Sequence, residues 1–315
     1  MSAQTTVVAQ TKRNPLQRKK WIQLNAWCWA FVALTLIFYI LFQGYPILCS
    51  IWYSLHNWSG MTTDMTFVGL ANYKELLKDS LFWGAFKNSF KYMFMAVPAE
   101  VIVSLLFAYL LNNEKLRGRT VYRVCLFLPV VITASIVGIV MVFIWSTQGI
   151  VDYVLTSTGI IKQAINWLGD ARYAMPTVVI VSVWKDVGTY MLYWLAALQG
   201  VSKDVVEAAT TDGASRRQIF FRVTMPIIAP TAGIILILCT INSLKVFDLV
   251  QTLTGGGPFY STDVIATFVY SSAFTSQIGL PRFGYASAAA TLFGFVIIVL
   301  GVVLNMIKAR LQKMQ

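Results

Sequence analysis

Six apolar stretches, near residues 27–48, 89–111, 124–146, 174–198, 226–250 and 284–307, decide what this sequence can become. Each is long enough to cross a hydrocarbon core about 30 Å thick, which takes about 20 helical residues. Lipid offers no partner to a backbone N–H or C=O, so a chain that crosses it in single runs must be helical there. Charged residues make up only 12% of the chain, against about 25% in a soluble domain. The pattern predicts an all-α integral membrane protein with six transmembrane helices. The first run follows a basic stretch, as the core of a signal peptide would, but it is long and lacks a small-residue cleavage site. It reads as a retained helix.

The net charge of +12 has a side. Basic residues crowd the N-terminal tail (Lys12, Arg13, Arg18, Lys19, Lys20), the second connection (Lys115, Arg117, Arg119, Arg123), the fourth connection (Lys203, Arg216, Arg217, Arg222) and the C-terminal tail (Lys308, Arg310, Lys313). The opposite connections are longer and carry fewer. By the positive-inside rule both termini are cytoplasmic, and the charge needs no nucleic acid to explain it. The expected division is a basic tail at 1–26, a membrane domain at 27–307 and a short tail at 308–315. Cys28, Cys49, Cys125 and Cys239 are scattered without a C-x-x-C pair and read as small buried hydrophobes.

The outer connections, 49–88, 147–173 and 251–283, are too short to hold a domain of their own, which usually needs about 50 residues. Residues 70–86, LANYKELLKDSLFWGAF, read as one short interfacial helix, and IATFVYSSAF (265–274) as an interfacial segment too brief to span. LTGGGPFYSTD (253–263) is a turn that must stop the fifth helix. Its three glycines do not make a phosphate loop, because no G-x-x-x-x-G-K-[ST] pattern is present. The single histidine, His56, sits among Trp52, Tyr53 and Trp58 and reads as an interfacial side chain. Neither a catalytic set nor metal-ligand spacing is visible, which argues against a membrane-embedded enzyme.

The fourth connection, 199–225, is polar yet structured. Asp204 with Glu207 three residues on reads as an N-cap and capping box, starting a helix near Val205. Gly213 is placed to turn left-handed and end it. Ser215 with Gln218 repeats the capping-box signature, and Pro226 and Pro230 fall in the first turns of the fifth run. Helix, sharp turn, helix is the prediction. So short a first helix is not stable alone; it packs either on its own membrane domain or on another protein. Within the membrane, Lys185 and Asp186 lie near the middle of the fourth run, where a charge costs about 2.5–3.5 kcal/mol. They line a polar cavity or form an internal pair. Lys245 and Asp248, three apart on the fifth run, are spaced for a salt bridge, with snorkelling of Lys245 to the interface as the alternative.

One pattern in the polar connection is specific. Glu207-Ala208-Ala209, three residues, Gly213, nine residues, then Val223-Thr224-Met225-Pro226 resembles the EAA loop of ABC importer permeases, with Val and Met where that family has Ile and Leu. FVGLANYKELL (67–77), LFLPVVIT (126–133), WKDVGTYMLYWLAALQGV (184–201) and LTGGGPFYSTD followed by FGYASAAATLF (283–293) look like the carbohydrate-uptake branch, of maltose and multiple-sugar type. The likeness runs from about residue 30 to the C-terminus.

The resemblance implies a coupling helix between helices 4 and 5 that docks on a cytoplasmic ATPase, with Glu207, Ala208, Ala209, Asp212 and Gly213 in the coupling element. It implies two cytoplasmic ABC ATPase subunits, a second permease subunit (a heterodimer is favoured), an extracytoplasmic solute-binding protein and a carbohydrate substrate. ATP and Mg would be used by the ATPase, with no cofactor on this chain, in a bacterial inner membrane. Ser182, Lys185, Asp186, Thr189, Asn242 and Lys245 fall where the family has its sugar-contacting helices, with different side chains at most of those places, so only Asn242 carries over with specificity. Trp184 and Tyr190 join Lys185, Asp186, Asn242 and Lys245 on the expected substrate path as aromatic platforms for a sugar ring. Trp194 and Phe247 are further aromatic groups suited to a sugar face. A channel or secondary transporter, which needs no ATPase, is the alternative.

Overall fold

The structure is a computed structural model that describes residues 15–275 and 281–313. It divides into two units, Met1–Trp52 and Tyr53–Gln315. In the first, helix α1 (Pro15–Tyr39) passes through one wide π-helical turn, Ile40–Gly44, into α2 (Tyr45–Ser54). The helix thus begins inside the segment expected as a tail, with Pro15 at its first turn, where a missing N–H costs nothing. Pro46 explains the wide turn. It has no N–H, and its ring would meet the carbonyl four residues back. The turn widens instead, and Tyr45 N–H reaches back five residues to the Ile40 carbonyl. The same device recurs at Ile219–Thr224, where Met225 N–H bonds the Phe220 carbonyl just before Pro226.

The second unit opens with a two-stranded antiparallel hairpin, β1 (His56–Asn57) and β2 (Thr66–Phe67), with His56 opposite Phe67. His56 is buried there, with its ring 5.3 Å from that of Phe67. The segment expected as one interfacial helix at 70–86 is split. Helix α3 (Ala71–Leu76) stops, and Asp79 caps a new helix by accepting from Leu81 N–H at 2.8 Å. That helix, α4 (Ser80–Leu111), runs 32 residues and is the pillar of the fold. Residues 80–86 of that segment belong to it.

The third run is the largest departure from six straight spans. Helices α5 (Arg119–Val131) and α6 (Ala134–Ile144) meet at 100°. Ile132 and Thr133 are extended between them, and Pro129 in the last turn of α5 withdraws an N–H where the helix would have continued. After α7 (Ile150–Ser157), α8 (Ala174–Gln199) is unbroken, as expected. Gly188 lets it lie against α5: a Cβ at that position would be 2.5 Å from the Leu126 carbonyl oxygen.

Beyond the polar connection, α11 (Met225–Leu244) ends six residues short of the expected 250. A break at Lys245–Phe247 separates it from the short helix α12 (Asp248–Leu253). Helices α13 (Ile265–Phe274) and α14 (Phe283–Lys313) complete the chain, α13 packing on α14 and α4. By length and composition four helical stretches can span a membrane: Asn25–Ser54, Ser80–Leu111, Arg216–Leu244 and Phe283–Arg310. The bent pair α5–α6 makes a fifth if it counts as one span. Helix α8 has the length, at 26 residues, but its polar residues lower its hydropathy. One apolar core joins α4, α8, α11, α13 and α14 around Phe82, Met191, Trp194, Ile235 and Phe268; a second lies around Ala96, Val137, Val178 and Val250. Of the four cysteines only Cys239 is buried.

Candidate functional site

Two places gather the residues that the sequence singles out. The first is the polar connection. Its helix α9 (Lys203–Thr211) begins two residues before the expected start, with Ser202 extended ahead of it. Asp204 is therefore inside the first turn, where its charge opposes the helix dipole, and is not the cap. The C-terminal end is as the sequence predicts. Gly213 has φ +80°, Gly213 N–H bonds the Thr210 carbonyl, and Ala214 N–H bonds the Ala209 carbonyl, both at 3.0 Å. This bonding pattern satisfies two carbonyls that the helix end leaves free. Ser215 and Gln218 exchange capping bonds of 2.8 and 3.3 Å and start the three-residue helix α10 (Arg216–Gln218), which runs through the second wide turn into α11.

No residue of α9 is buried. Ala208, Asp212 and Gly213 are exposed, and Val205 is 44% exposed although apolar. On its other side Val206, Glu207 and Thr210 face a cavity of about 760 Å³, walled by the C-terminal ends of α4 and α8 and the N-terminal end of α5. Lys203 bridges to Glu114 at 2.9 Å across this edge, and its ammonium holds the Glu114 carboxyl below the usual range. Both side chains are largely in solvent, so the pair adds little stability.

The second place is a cavity of about 170 Å³ inside the second unit, formed where α8 passes the broken end of α11. Lys185, Asp186 and Tyr190 come from α8, Asn242 from α11, and Lys245 and Phe247 from the break. Five of the six residues expected on the substrate path therefore meet in one space. Trp184 does not. It is two residues from both Ser182 and Asp186, which line the cavity, and so about 200° around the helix from each; it is 45% exposed on another face. Trp194 is 2% exposed and part of the larger apolar core, so it offers no face to a ligand.

The charges in the cavity differ from expectation. Lys185 pairs with Asp186 at 2.8 Å, both on the cavity wall, so the two readings of that pair are not exclusive. Lys245 and Asp248 do not pair; the helix break between them removes the shared face that their spacing presumed. Asn242 Nδ2 donates to Tyr190 Oη at 3.3 Å and joins α11 to α8.

A residue that sequence reading passed over anchors the cavity. Glu100, 3% exposed, projects from α4. Its Oε1 accepts from Ser182 Oγ at 3.2 Å and its Oε2 from Cys239 Sγ at 2.9 Å. Tyr92 Oη donates to Ser182 Oγ at 2.6 Å. The carboxyl thus ties α4, α8 and α11 together at the cavity wall. The available signal was a glutamate inside an apolar run, which by itself marks an interior position. Its partners lie 82 and 139 residues away in sequence. Among the described residues, no three His, Cys, Asp or Glu side chains gather to hold a metal ion.

Comparison with known proteins gives a consistent result. The family described as "Binding-protein-dependent transport system inner membrane component" matches residues 82–314, most of the chain. The lactose transport system permease protein LacF of Rhizobium radiobacter is 32% identical over 303 residues, covering 96% of this chain and 97% of LacF. The multiple sugar-binding transport system permease protein MsmF of Streptococcus mutans is 30% identical over 287 residues, 91% of this chain and 95% of its own. Among solved structures, a bacterial ABC transporter involved in the import of the acidic polysaccharide alginate has a similar chain, with TM-score 0.78 and 25% identity. The match covers 92% of this chain and 98% of that one.

Proposed function

The chain belongs to the family of binding-protein-dependent transport system inner membrane components, and from that premise we propose that it is the permease subunit of an ATP-driven ABC importer for a sugar or oligosaccharide. The observation that carries the reading is near full-length similarity to lactose and multiple-sugar permeases. An extracytoplasmic solute-binding protein delivers the sugar. Two cytoplasmic ATPase subunits use the ATP and Mg²⁺, and a second, similar permease completes the path. The chain crosses a bacterial inner membrane six times with both termini inside, the bent pair α5–α6 and the more polar α8 being the third and fourth crossings.

The polar connection is the coupling element. Helix α9 and the turn that ends it expose Ala208, Asp212 and Gly213 and bury nothing, which suits a helix completed by another protein's cleft. Small side chains allow close approach, Gly213 sets the angle of the turn, and the cavity behind α9 leaves it room to move. Glu207, Ala208, Ala209, Asp212 and Gly213 transmit ATPase movement to α11 through the continuous helix Arg216–Leu244.

The substrate path includes the cavity lined by Lys185, Asp186, Tyr190, Asn242 and Lys245. Lys185 and Asp186 satisfy each other as an ion pair, and Asn242 and Tyr190 present hydrogen-bonding groups of the kind sugar hydroxyls require. At about 170 Å³ the space is smaller than the roughly 300–1,000 Å³ of drug-sized ligand sites. It is therefore one side of a path that opens in the working assembly.

The test is ATPase activity of the reconstituted complex with its solute-binding protein across a panel of oligosaccharides. Stimulation by one sugar, with accumulation of that sugar inside vesicles, is the expected result. A chain that moves sugar with no associated ATPase would return the channel or secondary-transporter reading.

A further inference from the structure

A carboxyl group buried among membrane helices is costly unless its oxygens are occupied. Glu100 receives two bonds, from Ser182 Oγ at 3.2 Å and from Cys239 Sγ at 2.9 Å. Both donors are neutral, and a thiol is a weak one. A carboxylate offers about four lone-pair sites, so about two of them stay open. Glu100 lies on the wall of the cavity of about 170 Å³, together with Ser182 and Tyr92 of the same chain of bonds. Its spare acceptor capacity therefore borders the space assigned to the substrate.

The charges around that space point to what it accepts. Lys185 is satisfied by Asp186 at 2.8 Å. Lys245 and Asp248, on either side of the helix break, are both exposed on the wall and balance in number. Glu100 is left over, and no cation bonds it. A carboxylate so placed repels a second anion and attracts a hydroxyl, which can donate to it. An O–H···O⁻ bond is short and about twice as strong as a neutral one. A sugar hydroxyl is thus a better partner for Glu100 than the Cys239 thiol that holds it in this structure.

We propose that Glu100 receives a hydroxyl of an uncharged sugar, and that this hydroxyl displaces the Cys239 thiol. This rests on the importer reading and on the cavity as the sugar's path. The exchange has a mechanical side. Glu100 belongs to α4 and Cys239 to α11, so their bond ties the two helices together. Helix α11 is continuous with the polar connection through Arg216–Leu244. An empty cavity keeps the tie, and an occupied one releases the helix that the ATPase connection drives. Glu100 is in this way both a specificity residue and the sensor of occupancy.

The test is equilibrium binding of the radiolabelled sugar that stimulates the wild type, to the complete complex in nanodiscs without ATP. Glu100→Gln, which keeps shape and loses charge, weakens binding by about tenfold or more. Cys239→Ser gives Glu100 a stronger resident donor and weakens binding, whereas Cys239→Ala removes the competitor and binds at least as tightly as wild type. A bond with a structural role alone predicts the reverse order, serine mild and alanine worse. In the wild type, added sugar shifts the infrared S–H stretch of Cys239, assigned by its loss in Cys239→Ala, towards that of a free thiol. Wild-type affinity in Glu100→Gln, alanine binding worse than serine, or an unmoved S–H band overturns the proposal and leaves the importer standing. So does a complex that its loaded binding protein stimulates but that binds no sugar itself. A wild-type complex that no sugar-loaded binding protein stimulates removes the importer reading and the proposal together.

Discussion

At Gly213 the physics is that of one backbone angle. A Cβ added there would meet nothing within 4 Å, so the residue is required for its φ of +80° and not for space. Asn tolerates the left-handed region and a β-branched residue does not. Gly213→Asn is expected to support sugar-stimulated ATPase near the wild-type level. Gly213→Val, costing about 1–2 kcal/mol in the turn, is expected to lose most of it while the protein still inserts. The two variants assayed side by side separate backbone angle from bulk. In the outer turn, burial pushes the Asp263 carboxyl up to about 6, against a hydroxyl bond from Thr267 that lowers it. A carboxyl whose folded pKa lies above its ordinary 3.8 favours the folded state below that value, and the contribution is lost as pH rises through 6. Glu75 works in the opposite sense, because Arg282 holds its carboxyl down by paired hydrogen bonds of 2.6 Å. Protection factors for amides 254–264, corrected for the intrinsic base catalysis of exchange, should therefore be higher at pH 5 than at pH 7, and Asp263→Asn should flatten that difference. Gly213, Ser215 and Gln218 were legible in the sequence because each acts through neighbours a few positions away. Glu100 was not, because its meaning depends on Ser182 and Cys239, which only tertiary packing brings to it.

Between elements, close approach is what the glycines of this chain provide. Leucine at position 188 would drive its Cβ to 2.5 Å from the Leu126 carbonyl oxygen and 2.9 Å from Phe127 Cα, both backbone atoms that cannot swing aside. Gly188→Leu is expected to destabilise by about 1–3 kcal/mol or more through overpacking, seen as a lowered unfolding temperature in mild detergent. Gly294→Ala, in a helix with nothing within 4 Å, serves as the neutral-to-stabilising control. Local signals also placed α8 and the polar helix–turn–helix correctly. They failed where a helix had to stop without an obvious breaker. Residues 242–245, Asn-Ser-Leu-Lys, contain no proline or glycine, yet α11 ends there and the expected Lys245–Asp248 pair dissolves with it. Pro129 was a visible warning of the bend after α5, but its consequence, a turn of 100°, depends on where α6 finds its packing against α12.

For the molecule as a whole, the cavity sets the sharpest expectation. Asn242→Ala and Lys245→Ala each remove one polar contact from its wall, and a hydrogen bond is worth about 0.5–1.5 kcal/mol net. Sugar uptake by vesicles containing either variant should fall by up to about tenfold, with basal ATPase retained. Trp184→Ala, which alters a different face of the same helix, should leave uptake close to normal. Equal losses in all three would mean that the cavity is not the path. Membrane class was legible at this scale because hydrophobic length is written in composition; the number of crossings was less so, since four helical stretches qualify by length and composition, or five with the bent pair. Which polar residues meet was only partly so, since a face can be read along one helix but not across three.

The bonds that shape the polar connection from Ala208 to Ile219 run between residues no more than five positions apart. A fold written so locally is portable. Cut at Ser202 and Gln218 and spliced between the corresponding helices of another permease, the segment would keep its bend, its caps and its exposed face. It should bring with it a preference for one motor over another, so that a single exchangeable cassette decides which ATPase drives which gate.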